Sequence, residues 1–389
     1  MAARRARRPH GALVIAAGPD AGMSRRLLVA IALSAAAVAL VAAGCGGSGD
    51  SSASDEEKVD QALESLEEEL AKNPPGPGLG EASPPPPDAA SWDTDFSKQL
   101  VPVDEFQSGG PPKDGIPAVD IPQFTPARDV DWIGAREPVI VVEVDGETRA
   151  YPLQILMWHE IANDQIGQTP IAVTFCPLCN TAIVFDRRLE GQTYDFGTTG
   201  KLRNSDLVMY DRQTESWWQQ FSGEAVVGEL AGKKLEQVPA RMVAWDDFLD
   251  EHPSAAVLNR DTGFVRDYGQ NPYVGYDDID TPPFFAAGNA DDDRLPPKER
   301  IVYIEVGDRA FGVPFSSFAK TPRLTFDTDE GELDVRWSGG VASALDGPGI
   351  ASGRDVGAVT VTLDGEPVPF HEPFWFAVAA FRPDVRIVR

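Results

Sequence analysis

From residue 137 onward the chain consists of short runs of β-branched and aromatic residues cut by Gly and Asp, a pattern that directs the fold toward β-structure. Val139 to Val144, Ile171 to Phe175, Ala182 to Phe185 and Leu207 to Tyr210 are such runs. Helical signals are confined to three short stretches. Pro152 to Asn163 opens on a Pro, which suits a first helical position. Trp245 to His252 and Pro373 to Phe381 are each stopped by a proline, Pro253 and Pro383. The expected fold class is mainly β (α+β), with a few short helices.

An internal echo points to two related β-rich halves. Glu143-Val144 precedes Pro152 with Arg149-Ala150 between them, and Glu305-Val306 precedes Pro314 with Arg309-Ala310 between them. Downstream, Trp245 stands before Pro253 as Trp375 stands before Pro383. Matches in the same order are the mark of a repeat. The expected organisation is a first half over residues 92–260, a linker loop over 261–298, and a shorter second half over 299–389. The first half is the longer one, and its extra residues hold Cys176 and Cys179.

The formal net charge of −27 disfavours nucleic acid as a partner, because phosphate binding needs basic patches. With 3 Cys and 4 His, a disulfide-built scaffold, a multi-zinc protein and a multihaem protein are excluded. Residues 1–44 read as an export signal. Arg25 and Arg26 precede an apolar run from Leu27 to Ala43, which ends in Ala42-Ala43-Gly44-Cys45. Small residues before a Cys after such a run resemble a bacterial lipoprotein signal. That resemblance implies cleavage before Cys45, lipidation of its thiol, and a chain held on the cell membrane facing outside the cytoplasm. Residues 45–91 read as a disordered tether. It is Gly/Ser-rich, then acidic, then holds 7 Pro between Asn73 and Asp88.

The sharpest motif is Thr174-Phe175-Cys176-Pro177-Leu178-Cys179-Asn180-Thr181. Three readings stand open. In a redox reading, Cys176 and Cys179 cycle between dithiol and disulfide. The flanking strands put them on a hairpin turn, unlike the helix-opening thioredoxin motif, and so without a helix N-terminus to stabilise a thiolate. In a metal reading the knuckle supplies two ligands and His159, on the short helix before it, a third; Cys-Cys-His suits copper or zinc. In a structural reading the pair is a disulfide under a turn, whose small ring constrains little chain.

Other features carry less. Gly197-Thr198-Thr199-Gly200-Lys201 lacks the spacing of a phosphate loop. Of the adjacent Trp217 and Trp218, alternation in a strand sends one to the core and leaves the other for a cleft. Asp211, Arg212 and Glu215 read as a turn network. Asp291 to Asp293 lacks the ligand spacing of a calcium loop and reads as solvated. His252, before Pro253, complements a helix C-terminus, and His371 has no partner in sequence.

Several of these segments together resemble a known family. Tyr151-Pro152-Leu153, His159-Glu160, Cys176 to Thr181, Phe185-Asp186-Arg187, Asn204-Ser205-Asp206-Leu207 and Met209 to Trp217 are similar to those of the domain of unknown function 3179 family. Asn271-Pro272-Tyr273, Lys298-Glu299-Arg300 and Trp375 to Pro383 extend the likeness over residues 100–389. The resemblance implies a prokaryotic protein, mostly exported or lipid-anchored, and carries no activity. Some members resemble selenoproteins, with selenocysteine at one Cys of the motif, which implies redox chemistry there. The expectation is a lipid-anchored protein in which Cys176 attacks a redox partner or small substrate and Cys179 resolves the product, with His159 nearby. The alternatives are copper or zinc bound by Cys176, Cys179 and His159, or a non-catalytic surface lipoprotein.

Overall fold

The computed structural model describes residues 82–289 and 291–389. The expected signal, the lipidation residue Cys45 and residues 46–81 of the expected tether lie outside the described residues. No described helix is long and apolar enough to cross a membrane. Just before Trp92, Ser83 already engages the fold: its backbone N–H and hydroxyl donate to Gln99 Oε1, and Gln99 Nε2 donates back to its carbonyl.

The strands assemble into five sheets and one small two-stranded ribbon, arranged as a five-bladed β-propeller. The expectation of two related halves is overturned: the repeating unit is the sheet, and the described residues form five. The matched residues share one local construction. The hairpin of Pro138–Val144 and Glu147–Pro152 is joined in parallel by Ala256–Leu258, which follows α2 (Trp245–Glu251). The hairpin of Ile301–Val306 and Arg309–Pro314 is joined in parallel by Arg386–Ile387, which follows α3 (Trp375–Phe381). The first unit encloses two further sheets in sequence and the second encloses one. An echo between two blades therefore looks, in one dimension, like an echo between unequal halves.

Strand alternation distributes the core. Val139 and Val141 pack with Trp245 and Phe248, whereas Ile140 and Val142 face the large central cluster. Likewise Ile301 and Tyr303 face the central cluster, while Val302, Ile304 and Val306 face the core of the last two sheets. Burying each such aliphatic side chain is worth about 1.5–3 kcal/mol. Both faces of these strands are thus apolar, which explains their near-continuous hydrophobic runs.

Two further expectations change. The first helix, α1, spans Leu153–His159 and stops short of Asn163. Glu160 adopts φ +58 and its N–H caps Leu156, so Ile161–Ile166 leaves as a strand antiparallel to Thr169–Cys176. Pairing with a neighbour overrides local helical propensity here. Trp217 and Trp218 do face opposite sides, but both are fully buried, so neither lines a cleft. Trp217 packs against Trp92 and Tyr210. Trp218 lies in the central core and donates to Asp211 Oδ2.

Candidate functional site

Cys176 is the last residue of the strand Thr169–Cys176, and Thr181 pairs with it at the start of Thr181–Asp186. The four residues between form the hairpin turn. Asn180 takes φ +58, a left-handed conformation Asn tolerates, and its side-chain amide donates to Glu372 O at 2.7 Å. From the other side, Phe374 N–H donates to Cys179 O at 2.9 Å. The turn is therefore held by its own geometry and by the segment preceding α3.

The third member comes from the neighbouring sheet. Asp206 opens the strand Asp206–Asp211, just after a two-residue turn at Asn204 and Ser205, both at positive φ. That is the turn type whose twist matches a tight hairpin. The two sheets are joined by reciprocal bonds: Asn163 Nδ2 donates to Phe196 O at 2.8 Å, and Phe196 N–H donates to Asn163 Oδ1 at 3.0 Å. Gln220 adds to the seam, its amide donating to Thr174 Oγ1 at 2.9 Å while its oxygen accepts from the Thr181 hydroxyl at 2.7 Å.

This assembly brings one ligand atom from each of Cys176, Cys179 and Asp206 within 4.8 Å of one another, all in buried residues. Both cysteines are free. The Cys179 thiol donates to Asp206 Oδ1 at 2.8 Å, and Thr181 Oγ1 lies 2.9 Å from the same sulfur. Asp206 Oδ2 accepts from Gln219 Nε2 at 2.5 Å and from Phe221 N–H at 2.9 Å. One carboxylate oxygen is thus pinned by two donors and the other is turned to the thiols. The Cys176 sulfur makes a long contact, 3.9 Å, to Ser205 O.

Burial dominates the electrostatics. It pushes the Cys176 thiol up and the Cys179 thiol well above its ordinary value, with Cys176 and Asp206 adding to the latter. It lifts Asp206 to about 6, against the lowering effect of its hydrogen bonds. Glu160, also buried, is pushed up to about 8 by desolvation and by the Asp206 charge. Among the described residues no Lys, Arg or His donates a hydrogen bond to Cys176, Cys179 or Asp206. With no cation hydrogen-bonded to them, the two thiols hold their protons, whereas Asp206, at about 6, is largely ionised at neutral pH. A divalent cation can displace those protons, and a two-sulfur, one-oxygen donor set is chemically suited to it.

His159 does not join the cluster. Its Nδ1 donates to Pro117 O at 2.7 Å and its Nε2 accepts from the Tyr268 hydroxyl at 2.6 Å, so both ring nitrogens are engaged. It is fully buried, and desolvation lowers its pKa. The residues that lie close together are Cys176, Cys179 and Asp206, and not the expected Cys176, Cys179 and His159. Asp211 closes a turn, accepting from Thr214 N–H and from Trp218. Arg212 bonds Asp120, and Glu215 accepts from Asp93 N–H. His252 lies against Phe248 near Glu251. Thr198 and Lys201 flank a bulge in Phe196–Arg203, so the Gly-rich segment is strand. Asp292 pairs with Arg294.

No curated protein and no solved structure matches the chain. The family model described as "Protein of unknown function (DUF3179)" matches residues 113–385, which include the Cys176–Thr181 turn, Asp206 and the segment around Trp375. That match spans most of the chain, and the chain belongs to the DUF3179 family.

Proposed function

We propose that the protein binds a borderline-soft metal ion, zinc in the first place, through Cys176, Cys179 and Asp206. The observation that carries this reading is the convergence of three buried ligand atoms within 4.8 Å. Two thiolates alone suit Cu(I) as well; the carboxylate oxygen favours zinc. Gln219 and Phe221 orient Asp206 as outer partners commonly orient a metal-bound carboxylate. Three protein ligands are the number found in catalytic rather than structural zinc sites, and a zinc held by Cys176, Cys179 and Asp206 would lower the pKa of a water taking the fourth position. With the lipoprotein-like segment ending at Cys45, the proposal places this site outside the cytoplasm, on a membrane anchor.

The test is native mass spectrometry of the full chain, purified without chelator or reductant and then titrated with zinc. One zinc bound by the wild type and lost in Asp206→Asn and Cys179→Ser supports the reading. A wild type that binds none, or variants that keep it, overturn it.

A second reading has its own supporting contact. The Cys179 thiol donates to Asp206 Oδ1 at 2.8 Å, and a carboxylate with a pKa of about 6 can take that proton near neutral pH. In a thiol–disulfide cycle the Cys176 thiolate attacks a small disulfide and releases one thiol. Cys179, deprotonated by Asp206, then attacks the mixed disulfide and releases the second. The protein pair loses two electrons and two protons, and the substrate gains them. Stoichiometric reduction of a small disulfide by the metal-free dithiol protein, lost in Cys176→Ser, is the expected result of this cycle; inertness of the dithiol protein removes it.

A further inference from the structure

Residues 268–288 contain no helix or strand, and a stretch this long without regular structure in a compact domain is commonly a functional cover. One set of its contacts falls on residues that flank the thiol centre, and another, through Asn271, Gly275 and Asp277, on Arg300 and residues 343–354. Tyr268 hydroxyl donates to His159, next to Glu160. Tyr276 hydroxyl donates to Leu178 O at 2.8 Å, and Leu178 lies between the two cysteines. Phe285 O accepts from the Ser205 hydroxyl at 2.7 Å, and Gly288 N–H donates to Asn204 Oδ1 at 2.9 Å; both partners precede Asp206. Beneath it Cys176 is 1 % exposed and Cys179 0 %. Tyr276 is itself held from behind by Lys298, whose ammonium lies 3.8 Å from the ring centroid and bonds the Tyr276 carbonyl. The outer side of this segment carries exposed Val274, Ile279 and Phe284.

Building on the reading that Cys176 and Cys179 are the working groups, we infer that this segment is a size-selective cover. It admits hydrated ions and small solutes to the thiols and keeps folded proteins out, and Tyr276 is the positioning residue that pins it over Leu178. The buried Asp277, which pairs with Arg300 and Arg354 and accepts from Ser343, anchors the segment on the side away from the thiols. Over the thiols the Tyr276 hydroxyl makes one bond to a backbone carbonyl of the turn, and an edge closed by so few bonds opens locally while the anchor stays in place. Opening of that kind passes an ion or a small thiol, whereas a protein disulfide needs the turn laid bare.

The experiment labels the full, reduced, metal-free chain with iodoacetamide and, separately, with a maleimide bearing a polyethylene glycol chain of several kilodaltons. Peptide mapping reads Cys176 and Cys179 apart from Cys45. Iodoacetamide is expected to label the native pair and the large reagent to leave it unlabelled. Tyr276→Phe, which keeps the ring and loses the hydroxyl, is expected to raise the iodoacetamide rate about fivefold, the effect of one lost hydrogen bond. Its urea midpoint should barely move, and the large reagent should still be excluded. A merely structural role would lower the midpoint and raise labelling by both reagents. Equal wild-type rates for the two reagents, no labelling short of unfolding, or an unchanged rate in Tyr276→Phe overturns the inference. Zinc bound at a centre that the large reagent labels freely overturns the cover alone; size selection without zinc binding overturns the metal reading alone.

Discussion

Asp206 Oδ1 lies 2.8 Å from Cys179 Sγ, although the two residues are 27 positions apart and belong to different sheets. The contact exists because the Cys176–Thr181 hairpin and the Asn204–Ser205 turn end on the same side of the seam stitched by Asn163 and Gln220. It sets a carboxylate against the two-thiol turn, and its consequences are measurable.

Asp206→Asn keeps the shape and removes the anionic oxygen. Zinc affinity is expected to fall at least ~100-fold, more than the loss typical of an outer partner. Competition against a fluorescent chelator measures it. An affinity within a factor of a few of the wild type would remove Asp206 from the ligand set.

Cys176→Ser and Cys179→Ser should both fold, since a hydroxyl fits where a thiol sat. Neither should take up zinc, and circular dichroism alongside the metal titration separates folding from binding. The Cys179 substitution is the milder for Asp206, because a serine hydroxyl still donates to its carboxylate.

Glu160 gives a pH-dependent signature. Its folded pKa of about 8 lies above the ordinary 4.5, so the folded state binds the extra proton between those values. Stability from this group is therefore present at low pH and declines as pH rises from about 4.5 to about 8. Glu160→Gln removes the effect. The urea midpoint of the variant minus that of the wild type should grow from pH 5 to pH 8 in metal-free protein. A difference that stays flat, or shrinks, contradicts burial as the cause.

His371 is buried, stacks on Tyr303, lies tilted against Phe221, and has no hydrogen-bond partner for either ring nitrogen among the described residues. Burial drives its pKa down to about 3, so the ring is neutral. Replacing it with phenylalanine removes two unpaired polar atoms and keeps the stack. His371→Phe is expected to leave stability unchanged or raise it by about 1 kcal/mol. Chemical denaturation reads this, and a clear loss of stability would mean that the imidazole has a bonding partner.

What could be read locally and what could not follows from range. The Cys176–Cys179 pair and its place on a hairpin turn lie within six residues, and the flanking β-branched runs announce the strands. Asp206 stands in the family-like segment Asn204-Ser205-Asp206-Leu207 but is not singled out there as a site residue, because a carboxylate at a strand start looks like any turn acid. His159 shows the opposite error: closeness in sequence suggested closeness in space. The left-handed Glu160 ends the helix and aims the imidazole at Pro117 and Tyr268 instead.

The amino-acid order by itself determined the β-rich runs, the three short helical stretches, the thiol pair and the family, because each is written in contiguous residues. Only the tertiary structure decided that the described residues make five sheets rather than two halves, and that a carboxylate rather than an imidazole lies against the thiols. Both depend on which strand edges meet across long stretches of chain. That is settled by packing of two-faced apolar strands into shared cores, an interaction that no local pattern encodes.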